Sequence, residues 1–398
     1  MKDLEKKTRA YALKNALNHE GMAMQGPVIS SLFNEGLKRN EVGKYAKKIS
    51  EIILGINSLS IEEQKKEFEK LEKEVSERPE REGLEELPNA KKGVVMRFAP
   101  SPSGPFHVGH ALTFCLNLLY VKKYTGKLYL RIEDTNPENI YPKAYKMLED
   151  EGRWLSDGKV RVMIQSERME IYYNYAEKLI NKKAVYVCTC SQEKFKKLAD
   201  EKKNCPCRKL NVKENLERWN KMLDKKGYKE GDAVLRFKSN MKHKNPAMRD
   251  FPLARINLTK HPLQGNKYRV WPLMNLCVTV DDIEMKMTHI IRGKDHRDNA
   301  ERQKMIYKTL GKKFPWTAFL GKIHFKDMEL SMTKMREEIE KGKYKGWDDK
   351  RLPTIASLRK QGYKPQAFWK FAEQVGLSES DKVMDREDYF KLLSNFNK

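Results

Sequence analysis

The chain has 398 residues, and its 80 lysine and arginine residues outnumber its 55 aspartate and glutamate residues, giving a formal net charge of +25. This length predicts more than one domain. No run of about 18 apolar residues occurs, and residues 1–7 lack the apolar segment of a secretory signal, so we expect a cytoplasmic protein without a membrane partner. The excess positive charge indicates a polyanionic partner, most simply nucleic acid, although a lysine-rich surface chemistry alone would also produce it.

The N-terminal part, residues 1–90, is predicted to be a helical extension rich in lysine and glutamate. Charged and apolar side chains at helical spacing predict helices over 37–54 and 61–75. Proline and glycine within 76–92 predict a linker before the next domain.

Strands and helices are predicted to alternate over residues 91–182, which indicates parallel βαβ units. The expected order is a strand at 93–99, a helix ending at 124, a strand at 127–133 and a helix at 168–182. A cysteine-bearing segment, 183–266, interrupts this pattern. Apolar runs at 268–280 and 288–292 then predict further strands within a segment spanning 267–320. Helices are predicted to dominate from residue 298 onwards, including a last segment of 321–398.

The most informative motif follows the first of these strands and covers residues 97–112, RFAPSPSGPFHVGHAL. His107 and His110 are three residues apart, so they share one face at the start of a helix. A helix N-terminus with free backbone N–H groups binds anions, and Gly109 lets a ligand approach the backbone closely. The motif therefore favours a nucleotide polyphosphate site, although a capped helix with incidental histidines fits the short pattern as well.

Two further segments carry groups suited to such a site. Glu133, within RIEDTN at 131–136, ends a predicted strand, where its carboxylate could hold an ammonium group. Lys334, within LSMTKMR at 330–336, could counter the charge that develops on phosphates. Taken singly, each segment is also typical of a solvated loop or helix start.

Four of the six cysteines form two tight pairs, Cys188 with Cys190 and Cys205 with Cys207, separated by fourteen residues. In a reducing cytosol such clustering favours a metal over disulfides, and a disulfide within a Cys-x-Cys pair would be strained. Four thiolates suit a closed tetrahedral site for structural Zn²⁺. Four free buried cysteines, or two disulfides, remain the alternatives.

The motifs occur in an order and spacing that resemble those of the glutamyl-tRNA synthetases of archaeal type, which are class I aminoacyl-tRNA synthetases. The matching segments are 97–105, 107–110, 131–135, 291–296, 330–334 and 346–349, within roughly residues 93–375. The resemblance implies an α/β fold: a class I Rossmann-type catalytic domain of the HIGH-motif nucleotidyl transferases. It further implies an inserted zinc-bearing domain that contacts the tRNA acceptor end, an N-terminal helical extension and a C-terminal helical stem-contact region.

The resemblance also implies a reaction, in which glutamate attacks the α-phosphate of ATP and the adenylate then acylates the 3′ end of tRNA. In this scheme Arg97 and Arg292 hold the side-chain carboxylate of glutamate, and Glu133 holds its α-amino group. The other implied glutamate-binding residues are Ala99, Ser101 and Met274. The implied ATP-binding residues are His107, Gly109, His110 and Lys334, with Mg²⁺ accompanying ATP, and His107, His110 and Lys334 are the implied catalytic residues.

Three departures from the family pattern qualify this interpretation. Met274 stands where the family has a pocket tyrosine, with Ile283 and Lys286 replacing the usual histidine and glycine nearby. Ser331 occupies the position of an earlier lysine in the phosphate loop. The chain ends at Lys398, where relatives continue into anticodon-binding β-barrels. Truncation, a separate anticodon-binding polypeptide, or recognition of tRNA through the acceptor end alone would each explain this.

The leading hypothesis is therefore a glutamate–tRNA ligase whose substrates are ATP, L-glutamate and tRNA. The resemblance also implies charging of glutamine tRNA, with a tRNA-dependent amidotransferase as a further partner. One alternative is a paralogue without barrels that glutamylates a modified tRNA base. Another is a non-catalytic RNA-binding module.

Overall fold

The structure, a computed structural model, describes residues 3–76 and 83–398. The chain divides into two compact units, Met1–Glu82 and Gly83–Lys398. The middle of the linker predicted over 76–92 lies outside the described residues. No helix of the described segments is long and apolar enough to cross a membrane.

The first unit is a bundle of short helices, as its sequence predicts. Its helices are α1 (Leu4–Leu17), α2 (Gln25–Asn34), α3 (Val42–Asn57) and α4 (Ile61–Leu71). Leu13, Leu32 and Ile56 are fully buried in its core. Ser60 begins α4 through a capping box with Glu63, which satisfies two backbone N–H groups that the helix itself cannot. The predicted helices at 37–54 and 61–75 are thus observed with shifted bounds.

The second unit is built on parallel strands, which confirms the predicted α/β class. Its first sheet pairs β1 (Val95–Phe98), β2 (Lys127–Ile132) and β3 (Val160–Ile164) in parallel. A second parallel pair comprises β8 (His289–Gly293) and β9 (Trp316–Leu320). This pair is joined to β1 by the N–H of Thr288, which donates to the carbonyl of Val95 at 3.0 Å.

Helices follow the strands of the first sheet and cover it. They are α5 (Val108–Lys123), α6 (Ala144–Leu155) and α7 (Met169–Asn181). Buried side chains of α5, including Phe114 and Leu116, pack in one core with Met96 and Leu130 of the strands. Because α5 is buried on most sides, its sequence is nearly continuously apolar rather than amphipathic.

An antiparallel sheet follows, with a core of its own. Its strands are β4 (Val185–Cys188), β5 (Val234–Phe237), β6 (Pro252–Ile256) and β7 (Val270–Pro272), and they pair in chain order. The helices of this region are α8 (Gln192–Asp200) and α9 (Val212–Leu223). Trp219 and Trp271 are buried in its core. The sheet extends past the predicted boundary at 266, and the domain boundaries inside the second unit stay predictions.

The remaining elements complete the second unit. The helices are α10 (Met274–Glu284), α11 (Arg297–Thr309), α12 (Met332–Glu340), α13 (Ile355–Lys360), α14 (Pro365–Val375) and α15 (Arg386–Phe396). Two short strands, β10 (Ile323–Phe325) and β11 (Lys382–Met384), pair in parallel. Helices therefore dominate the C-terminal part as predicted, with β9, β10 and β11 as additions.

The strand predicted over 268–280 is wrong for most of its length. Only Val270–Pro272 is extended, and α10 begins at Met274. Eight consecutive residues of α10 are buried, so its apolar side chains do not recur at the spacing of an amphipathic helix. Periodicity alone cannot separate a fully buried helix from a buried strand.

Candidate functional site

A cavity of about 440 Å³ lies at the carboxyl ends of β1 and β8. Open α/β sheets bind ligands at this edge of the sheet. The cavity brings together nine residues that the sequence singles out: Arg97, Ala99, Ser101, His107, Gly109, His110, Glu133, Met274 and Arg292. Lys334 is not among its lining residues.

The histidine motif forms the turn that starts α5. His107 is the N-cap residue, and its Nδ1 accepts hydrogen bonds from the backbone N–H groups of Gly109 and His110 at 3.0 and 3.2 Å. Since Nδ1 is an acceptor, the proton of the neutral ring resides on Nε2. The two imidazoles stack with ring centroids 3.6 Å apart. The turn therefore fixes both the position and the tautomer of His107.

Both imidazoles are neutral at pH 7. Burial lowers the pKa of His110 to about 4. Burial, followed by the proximity of His110, lowers the pKa of His107 well below its usual value. The buried Nδ1 of His110 has no hydrogen-bond partner among the described residues. These rings therefore act as polar groups that donate and accept hydrogen bonds, without bringing charge to the cavity.

Glu151 of α6 stabilises the same turn through a hydrogen bond to its backbone. Its Oε2 accepts the backbone N–H of Phe106 at 2.5 Å. The turn is also paired with the start of α13, since Ile355 donates its N–H to the carbonyl of Phe106 at 2.8 Å. Burial raises the pKa of Glu151 to about 8, against the effect of its backbone donors. Glu151 was not predicted from the sequence, because a single acidic position on an amphipathic helix carries no distinguishing signal.

Arg97 and Arg131 share one carboxylate beneath the cavity. Arg97 contacts both oxygens of Asp282, at 2.9 and 3.1 Å, and Arg131 donates to Oδ1 of the same residue at 2.6 Å. Arg131 is fully buried and also binds Glu133 at 2.9 Å. Although burial opposes ionisation, the charges of Arg97 and Arg131 lower the pKa of Asp282 to about 2. The two guanidinium groups are therefore already paired with carboxylates.

Asp281, the neighbour of Asp282, is surrounded by donors on its other side. Its carboxylate accepts hydrogen bonds from Gln165 and Arg168, each at 2.8 Å, and from the hydroxyl of Tyr172 at 2.9 Å. Sequence reasoning did not single out either aspartate or Arg131. Two acidic residues at the end of an apolar run were the available signal.

Arg292 differs from the other arginines of the site. It projects from the end of β8, is buried, and donates from Nη1 to the amide oxygen of Gln303 at 2.9 Å. Its buried Nε has no hydrogen-bond partner in residues 3–76 and 83–398. Burial, and then the charge of Arg97, lowers the pKa of Arg292 to about 10, so it is a cation at pH 7. Among the described residues no carboxylate forms an ion pair with it.

The four clustered cysteines are gathered outside this cavity. Cys205 Sγ lies 3.6 Å from the Sγ atoms of both Cys188 and Cys190, and Cys190 Sγ lies 4.0 Å from Cys207 Sγ. All four sulfurs fall within 4.8 Å of one another, and none forms a disulfide. Zn–S bonds of about 2.3 Å in a tetrahedron place sulfurs about 3.8 Å apart. The cluster can therefore hold a metal ion.

Comparison with known proteins decides the family. Residues 93–396 match the family model described as tRNA synthetases class I (E and Q), catalytic domain. The chain belongs to this family.

Relatives of this class I synthetase agree with that assignment. The glutamate–tRNA ligase of Methanobrevibacter smithii is 43% identical over all of this chain and 71% of its own length. The glutamate–tRNA ligase of Methanocaldococcus jannaschii is 42% identical over 98% of this chain and 70% of its own. A crystal structure of a glutamate tRNA ligase from Elizabethkingia meningosepticum, 21% identical, has a TM-score of 0.54 over 76% of this chain and 70% of that one. This last similarity concerns the fold alone.

The loop at 330–334 of the synthetase begins at the edge of the cavity, but its lysine, Lys334, does not line the cavity. Leu330 lines the cavity, while Lys334 forms an ion pair with Glu329 on the exposed surface. Ser331 caps α12 by accepting the N–H of Lys334 at 3.4 Å. The serine at the earlier loop position therefore has a structural role as a helix cap.

Proposed function

We propose that the chain is a glutamate–tRNA ligase, which forms glutamyl-adenylate from ATP and glutamate and transfers the glutamyl group to the 3′ end of tRNA. The observation that carries this proposal is one cavity lined by three complementary elements. Arg292 supplies a cation that has no carboxylate partner among the described residues, Glu133 supplies an anion, and His107 with His110 supplies neutral donors at a helix N-terminus.

Glutamate binding uses the first two elements. A side-chain carboxylate matches the unpaired guanidinium of Arg292, because charge-assisted hydrogen bonds are strong where water is excluded. Glu133 suits the α-ammonium group, and its ion pair with Arg131 fixes its orientation. Arg97 is committed to Asp282 through Nε and Nη2, so only its remaining nitrogen, Nη1, is directed to substrate in this proposal.

ATP binding uses the helix start. The first backbone N–H groups of α5 are already bonded, to the carbonyl of Pro353 and to His107. The Nε2–H of His107 and the positive end of the α5 dipole are therefore the groups that favour phosphate oxygens. Lys334 would reach the phosphates only after leaving Glu329, and Mg²⁺ is proposed to accompany ATP. The protein forms no covalent bond to the substrates in this scheme. It accelerates the reaction by aligning the glutamate carboxylate with the α-phosphate and by stabilising the charge that develops.

Binding of tRNA is proposed for the second unit, which carries nearly all of the net positive charge. Residues 1–82 contain 16 basic and 15 acidic residues, which leaves 64 basic and 40 acidic residues in 83–398. A net charge of +24 on one unit favours association with a phosphate backbone.

The proposal is tested by incubating the protein with ATP, labelled glutamate and tRNA, followed by mild base. Base-labile label at the 3′ end supports the ligase, and steep weakening of tRNA binding with salt should accompany it. Stable label on an internal nucleotide would instead indicate base modification. Binding of tRNA without any label would indicate a non-catalytic module.

We also propose that the cysteine cluster holds a structural Zn²⁺. The four sulfurs fit a tetrahedral site without leaving an open position, and the guanidinium of Arg218 donates to Cys207 Sγ at 3.5 Å, which stabilises a thiolate. Zinc would fix the segment between β4 and α9 and supply no step of the reaction.

Replacing Gly109 with alanine is expected to weaken ATP binding about tenfold, judged by KM for ATP in pyrophosphate exchange. A Cβ at this position would lie 2.9 Å from Cε1 of His107, so the ring must move and loses its fixed acceptor role. Gly55→Ala in α3 is the matched control, because a Cβ there meets no atom within 4 Å. An unchanged KM for Gly109→Ala would contradict the role given to this turn.

Stability should depend on pH through the same histidines. Their pKa values are depressed in the folded chain, whereas an unfolded histidine titrates near 6.5. The stabilisation is therefore fully present above pH 6.5 and is lost as pH falls towards 4, because protons then bind preferentially to the unfolded chain. We expect His110 to contribute about 2 kcal/mol to this loss, reduced from the full shift because its side chain is partly exposed.

The measurement is urea unfolding of wild type and His110→Gln at pH 7 and pH 5. The variant should lose less stability between the two pH values than wild type. His324→Gln, at an exposed histidine of the same unit, is the control and should keep the wild-type pH dependence. Equal pH dependence in His110→Gln and wild type would refute the assignment.

A further inference from the structure

The charges beneath the cavity do not cancel. Four guanidinium groups meet three carboxylates, and every carboxylate is in contact with at least one arginine among the described residues. The arginines are Arg97, Arg131, Arg168 and Arg292, and the acids are Glu133, Asp281 and Asp282. One positive charge is therefore in excess, and Arg292 is the arginine that lacks an acidic partner.

Other ionisable groups near Arg292 leave this balance unchanged. Burial, followed by the charge of Arg292, lowers the pKa of His296, so this imidazole is neutral at pH 7. Asp295 lines the cavity, but it lies 3.4 Å from the ammonium group of Lys322. The excess charge therefore stays on Arg292.

Gln303 of α11 is the protein group that holds Arg292. It is 1% exposed, and its amide oxygen accepts from Nη1 of Arg292 at 2.9 Å. Its amide nitrogen faces the side-chain oxygen of Asn275 at 3.5 Å. A glutamate would fill the same space, yet the chain has the neutral amide, which orients the guanidinium and leaves its charge unpaired.

We propose that Gln303 is a specificity-determining positioning residue, whose neutral amide keeps Arg292 available for the side-chain carboxylate of the amino-acid substrate. This inference rests on the proposed glutamate activation. With a neutral partner at 303, glutamate completes the charge balance of the cavity, whereas glutamine leaves a buried cation unmatched. With a carboxylate at 303, Arg292 would already be paired, and glutamate would bring an excess negative charge.

The test measures kcat/KM for glutamate and for glutamine in pyrophosphate exchange, with tRNA present, for wild type and Gln303→Glu. We expect the ratio of the two values to fall about 100-fold in the variant, through loss of glutamate activation and retention or gain of glutamine activation. Gln303→Met is the matched neutral control. It removes the hydrogen bond to Arg292 and should lower both values together, changing their ratio less than about fivefold.

Each outcome is decisive. A folded Gln303→Glu that keeps the wild-type ratio overturns the inference, as does a Gln303→Met that loses selectivity as strongly as Gln303→Glu. Circular dichroism and ATP binding show whether each variant is folded. If Gln303→Glu does not fold, Gln303→Asp, which has a shorter side chain with the same charge, is measured instead. The same fall in the ratio of the two kcat/KM values is then expected. Failure of wild type to activate glutamate would refute the proposed function itself, which distinguishes the two failures.

Discussion

Replacing Arg292 with alanine is expected to lower kcat/KM for glutamate in ATP–pyrophosphate exchange by about 10³-fold. The wild-type guanidinium is buried and bonds to the neutral amide of Gln303, so its bond to a substrate carboxylate does not have to replace an ion pair with a described acid. Truncation leaves the substrate carboxylate in a cavity without its counter-charge, which costs about 3–5 kcal/mol for buried ion pairs.

The loss should appear in the amino-acid dependence of the reaction. KM for ATP should change much less than kcat/KM for glutamate, because phosphate binding is proposed for the start of α5, whereas Arg292 projects from the end of β8. Arg153→Ala, at an exposed arginine of α6 paired with Glu149, is the control for removing a guanidinium and should stay within about twofold of wild type. Retention of glutamate activation within tenfold in Arg292→Ala would show that another residue binds the side-chain carboxylate.

The framework of the fold was predictable because its signals are local. An apolar run, a Pro/Ser/Gly turn and paired histidines predict a strand, a turn and a helix start, and β1 and α5 follow that pattern. β3 was missed, since five residues between two helices give little alternation. α10 was predicted as a strand, because a helix buried on most sides loses its amphipathic period.

The candidate site was predictable only where residues belong to recognisable motifs. Arg97, Glu133, His107 and Arg292 stand in such motifs, and the fold brings them to one cavity. Glu151 and Gln303 act through contacts with residues distant in sequence, at separations of 45 and 11 positions, and nothing local distinguishes them. Arg97 is paired with an acid and Arg292 is not, and this difference depends on partners from several elements. It is therefore visible only in the three-dimensional structure.

Removing the proposed zinc is expected to unfold the cysteine-bearing segment while leaving the parallel sheet folded. The buried side chains around the cluster are few, chiefly Tyr186 and Phe195, and they supply too little apolar burial to hold four sulfurs at their observed distances. A metal that binds only the folded segment contributes its binding free energy to folding, so its loss should cost about 5 kcal/mol or more.

The measurement combines metal content, thermal unfolding and hydrogen exchange. Wild type should contain one zinc per chain, and Cys205→Ala should contain none and lose amide protection over residues 188–210. Protection of Val95–Phe98 in β1 should persist in the variant, because that strand packs with α5 in a core separate from the cysteine cluster. Cys115→Ala is the matched control, since Cys115 is buried outside the cluster and its loss should leave the zinc content at one. A metal-free wild type with full protection over 188–210 would show that packing alone maintains the cluster, because the four thiols would then hold their positions without a shared ion.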